Sequence, residues 1–137
     1  MRRRLARSAA RDRGAAAVEF ALLLPVLLLL VFGIIDFGRA LNAQITLTQA
    51  AREGARIAAL GESNVVSGTQ AAATGLSPVA VTVTSCPAGA GTGVNAVVKA
   101  SYSFSFVTPL SAIAGILGSS LGSTMTLTAT GVMPCET

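Results

Sequence analysis

Residues Gly14 to Arg39 read GAAAVEFALLLPVLLLLVFGIIDFGR, and the rest of the chain is arranged around them. Ala15 to Ile35 run almost without polarity. As a helix, at about 1.5 Å per residue, that run matches the roughly 30 Å hydrocarbon core of a bilayer. One residue breaks the pattern. Glu19 lies inside the run, where a carboxylate deep in lipid costs a few kcal/mol or more, so an ionisable side chain here is a functional hypothesis by default. The alternative reading leaves Glu19 at the headgroup boundary, where it is tolerated at little cost.

The flanks of this run set its orientation. Arg2, Arg3, Arg4, Arg7, Arg11 and Arg13 precede it and hold most of the ten basic residues. The net charge of +4 is therefore local, and the remainder of the 137 residues is slightly acidic. That argues against a nucleic-acid partner. A basic block before an apolar span instead places the N-terminus in the cytoplasm and everything after Ile35 on the far side. The reading is a single-pass membrane protein with its N-terminus in the cytoplasm and an extracytoplasmic C-terminal domain. A hydrophobic content of 52% and the scarcity of aromatics (no Trp, one Tyr) suit such a protein.

Beyond Ile35 the helical pattern continues. Pro25 lies within the apolar half and is expected to bend it. Asp36 and Arg39 can pair at i,i+3, as can Glu53 and Arg56. Leu41, Ile45 and Thr48 recur at helical spacing, followed by Ala51, Ala55 and Ala58, and Gly61 is a natural stop. One helix from about Ala15 to Leu60 would be roughly 65 Å long. Small residues (Ala40, Ala43, Ala50, Ala51, Ala55, Ala58, Ala59) would let its outer half pack closely on a sheet or on another helix.

After Gly61 the period changes. Asn64 to Gly75 reads as a short helix, and Val79 to Ser85 alternates as a strand. Pro87 to Gly93 reads as a turn, and Val94 to Val107 as a second strand with Ala100, Tyr102, Phe104 and Phe106 on one face. Thr108 would cap a short helix reaching Gly118, with Pro109 at its first position. Thr124 to Met133 is a third strand. The expected fold is α+β: a long N-terminal helix packed against a small antiparallel sheet of about three strands. The expected organisation is a basic cytoplasmic segment (1–14, with 1–13 unstructured), a transmembrane helix (15–35), its exposed continuation (36–61) and an extracytoplasmic domain (62–137).

Cys86 and Cys135 both fall on the exported side, where an oxidising compartment would let them pair. That pairing would close a loop of about 50 residues, for which chain entropy predicts roughly 4 kcal/mol. Two free thiols are the alternative. With no His and only two Cys, no metal site is expected. Nor are there paired carboxylates or a Gly-x-Ser-x-Gly elbow, so the reading is not an enzyme, with no cofactor and no small-molecule substrate.

The stretch RGAAAVEF resembles the processing site of type IV pilin-like precursors. That resemblance implies cleavage by a prepilin peptidase between Gly14 and Ala15, with Glu19 as the fifth residue of the mature chain. The freed α-amine of one subunit would then be neutralised by the Glu19 carboxylate of a neighbour, a pairing that lets the charge be buried. The Glu19-Phe20 pair, the Leu-Pro within the span, Asp36-Phe37-Gly38-Arg39 and AAREGAR at Ala50 to Arg56 together resemble the TadE-like family of the tight-adherence (Flp) pilus system. Members of that family are minor pilins or pseudopilins. The resemblance implies partners among membrane lipid, a prepilin peptidase and other pilins or pseudopilins of the same system. Glu19-Phe20, where major Flp pilins carry Glu-Tyr, and the long exported domain argue against a major pilin. Two rival readings stay open. One is a secretory signal cut near Leu41-Asn42-Ala43. The other is an uncleaved anchor carrying a binding domain.

Overall fold

The structure, a computed structural model, describes residues 2–89, 93–107 and 124–135, with side chains from Gly14 onward. Its first element, α1, spans Arg2–Ala59 and passes through Pro25. The basic segment, expected to be unstructured, is therefore helical from Arg2. No Gly or Pro interrupts it before Gly14, and its Arg, Ala and Leu residues are good helix formers. At the other end α1 stops as the sequence leads one to expect. Gly61 takes a left-handed φ of +74°. The Gly61 and Glu62 amides donate to the Ala58 and Ile57 carbonyls, satisfying groups that the last turn leaves open.

A second helix, α2 (Val65–Ala72), follows, and then β1 (Val79–Thr84), β2 (Asn95–Phe104) and β3 (Met125–Pro134). The strands form one antiparallel sheet in the order β1-β2-β3. Register places Val79 opposite Tyr102 and Phe104 opposite Met125. The expected second strand, continued to Val107, ends three residues early because β3 offers no partner beyond Met125. The helix expected over Thr108–Gly118 lies outside the described residues, as does part of the Pro87–Gly93 turn.

One sheet face lies on the outer half of α1 and on α2. Ala40, Ala43, Leu47, Ala50 and Ala51 of α1 pack with Val79, Ala100, Phe104, Leu127 and Ala129. Farther from the apolar run, Ala55, Ile57 and Ala58 pack with Val65, Ala96 and Val98. The alternation along the strands explains the layer: Val98 and Leu127 point in, while Lys99 and Thr128 point out. The small residues of α1 form the packed face, as their run along the helix leads one to expect. Leu41 and Ile45 are exposed, and the alanines take the sheet. Close approach accounts for this. Gly131 of β3 sits so near α1 that a Cβ there would overlap the Ala51 carbonyl oxygen. Gly54 is held equally close to Thr69 of α2.

Candidate functional site

The membrane-length half of α1 stands clear of the domain. Its most apolar window has a mean hydropathy of 2.8, and none of that window is buried by the rest of the chain. Leu22, Leu23, Val26 and Ile34 are all well exposed. Such a helix is long and apolar enough to cross a bilayer. Gly14, Ala15, Glu19 and Phe20 lie together within about two turns at its start, on α1 and exposed. Glu19 follows Ala15 by four residues, so the two share a helix face. Glu19 makes no ion pair with any described side chain. At Gly14 there is open space where a Cβ would stand. The geometry thus presents a carboxylate and a small-residue peptide on an unoccupied helix surface.

The far end of the apolar run is built differently. Asp36 immediately follows Ile35 and is 1% exposed. Its carboxylate accepts from the Arg39 guanidinium at 3.1 Å and from the Val107 amide at 3.3 Å. The first contact follows from i,i+3 spacing. The second joins residues 71 apart, and nothing in the local sequence announces it. Arg39 also lies over the Phe104 ring, 5.2 Å from its centre, and Phe104 meets Phe106 edge to face. A buried charge directly beyond an apolar span is thereby compensated.

Two further contacts hold α1 and α2 to the edge strands. The Gln44 side chain donates to the Thr128 carbonyl and the Gln70 side chain to the Val79 carbonyl, each at 3.0 Å. Higher on α1, Arg56 grips Glu53 through two hydrogen bonds of 2.7 and 3.0 Å. The hydrogen bond from Arg56 holds the Glu53 carboxyl below its ordinary range and raises the Arg56 guanidinium. Both side chains are solvent-exposed, so the pair adds little stability. Cys86 and Cys135 form a disulfide with a Cα–Cα distance of 5.8 Å. It ties the stretch after β1 to the end of β3. Among the described residues, no three His, Cys, Asp or Glu side chains come together as metal ligands would.

A membrane-length helix that continues without a break as the spine of a small α+β domain defines a class of membrane-anchored proteins with a folded head domain. Residues 14–56 match the family model described as TadE-like protein. The matched span takes in the apolar run, Glu19, the Asp36–Arg39 pair and the Glu53–Arg56 pair, and stops short of the sheet. No curated protein and no solved structure matches the chain. The family match and the long apolar helix together suggest a membrane-anchored component of a tight-adherence pilus.

Proposed function

We propose that this protein is a minor pilin or pseudopilin. In this reading a prepilin peptidase cuts it after Gly14, and it enters pilus assembly through Glu19. The N-terminus faces the cytoplasm, because the arginine block precedes the span. The sheet domain is extracytoplasmic, which agrees with its disulfide. The observation that carries the proposal is Glu19 itself. It is an exposed carboxylate that pairs with no side chain among the described residues, four residues beyond a Gly-Ala peptide on a membrane-length helix. Such a charge is tolerable in lipid only when another group neutralises it. The α-amine of Ala15 in an adjacent subunit supplies that charge once the leader is removed. The partners are then the peptidase, bilayer lipid and other pilins or pseudopilins of the same system.

Mass spectrometry of the mature N-terminus, in cells with and without a prepilin peptidase, tests the proposal. The expected result is Ala15 with the peptidase and Met1 without it. Met1 in both strains sinks the processing step. Glu19→Ala is expected to abolish pilus assembly, scored by electron microscopy of sheared fibres, while the protein still fractionates with membranes. A second reading, an uncleaved single-pass anchor with a binding domain, draws on one observation: α1 runs unbroken across Gly14–Ala15, leaving that peptide helical. It predicts that Glu19→Ala changes nothing.

A further inference from the structure

The apolar run and the sheet domain have no linker between them. The run ends at Ile35, and Asp36, the next residue, already binds the Val107 amide at the end of the strand segment. Ala15 to Ile35 fill a hydrocarbon core of roughly 30 Å without slack. Asp36 and the Val107 backbone therefore stand at the outer edge of the hydrocarbon. Arg39 is about 4.5 Å further along the helix, within a headgroup layer that adds roughly 5–8 Å per leaflet.

The side chains at this level have the chemistry of that layer. Phe37 is 67% exposed and Val107 is 72% exposed. Met125, opposite Phe104 in the register, is also exposed. Arg39 is about half exposed although it pairs with Asp36. With Asn42 and Tyr102 it lines an open pocket of about 190 Å³ on the same end of the domain. Apolar tips below a cation and a phenol are what an interfacial anchor requires, since arginine and tyrosine favour the headgroup level. The Asp36 carboxylate is buried and paired with Arg39, so it is not turned toward the lipid phosphates.

From this alignment we infer that the lower rim of the domain, Phe37, Val107 and Met125, docks on the outer leaflet of the bilayer, with Arg39 at the level of the lipid phosphates. The inference rests on the reading of Ala15–Ile35 as a membrane span. Docking of this kind fixes the tilt of the domain against the membrane, because α1 enters the domain without a linker and the rim is seated.

The chain contains no Trp, so single substitutions report position directly. Full-length V107W, S63W and L28W variants would each be reconstituted in vesicles of equimolar phosphatidylcholine and phosphatidylglycerol, with and without brominated lipid. Ser63 lies beyond the far end of α1 and is exposed. The expected result is strong quenching and a blue-shifted emission for L28W and V107W, and water-like, unquenched emission for S63W. Quenching of L28W with water-like emission from V107W overturns docking and leaves the span intact. Equal quenching of V107W and S63W overturns the seated rim, because the domain would then lie along the membrane. A blue shift of V107W that depends on protein concentration, without quenching, means that another protein covers the rim and also overturns it. Unquenched L28W removes the span, and docking with it.

Discussion

Asp36 shows how much one side chain decides. Its carboxylate joins the exit of the apolar run to the end of the strand segment through Arg39 and the Val107 amide. Truncating it leaves a guanidinium and an amide without that acceptor, and a hydrogen bond to a charged group is worth about 1.5–3 kcal/mol. Asp36→Ala is expected to lower stability by that order, read as a fall in the unfolding midpoint of the full chain in micelles. Asp36→Asn should lose less, since an amide oxygen can still accept from Val107. Glu53 offers a contrast in sign and size. Its folded pKa is depressed by Arg56, so its contribution is present above the ordinary carboxylate range and is lost as pH falls through the lowered value. Both partners are solvated, so the effect is small. The expected outcome is that Glu53→Gln differs slightly from the parent at neutral pH and not at all in strong acid, measured as midpoint against pH.

The long helix is held by backbone proximity more than by large side chains. Its buried face is mostly alanine, with Leu47 the one large apolar residue among its described side chains that is fully enclosed. Alanines permit the sheet to come close, and Gly131 exploits that space against Ala51. A methyl group added at Gly131 meets a backbone carbonyl, which cannot rotate away. Gly131→Ala is expected to destabilise by about 1–3 kcal/mol, the range for overpacking a tight contact. Thermal unfolding followed by far-UV circular dichroism checks it, and an unchanged midpoint would mean that helix and sheet are less closely apposed. The helix stop at Gly61 was legible in sequence because a left-handed residue has a local chemical signature. The packed face was legible too, in the run of small residues from Ala40 to Ala59, but not whether a sheet or another helix would fill it. Periodicity finds large apolar residues, and here Leu41 and Ile45 point away from the sheet while alanines, with little hydrophobic contrast, point toward it.

Across the molecule, the disulfide closes a segment with a sequence separation of 49 residues, embracing the whole of β2 and β3. A domain with so small a core depends on such a constraint. Replacing both cysteines (Cys86→Ser with Cys135→Ser) is expected to remove roughly 4 kcal/mol on the chain-entropy estimate. Urea unfolding of the two proteins measures it, and a loss below about 1 kcal/mol would mean that the reduced chain already holds those ends together. The apolar run, the placement of Glu19 after a Gly-Ala peptide, the three alternating strands and the α+β class could all be read from residue order. Each rests on a local rule: length against bilayer thickness, a charge in lipid, a period of two or of 3.6. The Asp36–Val107 bond, the choice of the sheet as the partner of the alanine face and the level of the domain's rim relative to the span could not be read that way. They join residues distant in sequence, and they depend on how closely two backbones approach, which no local pattern records.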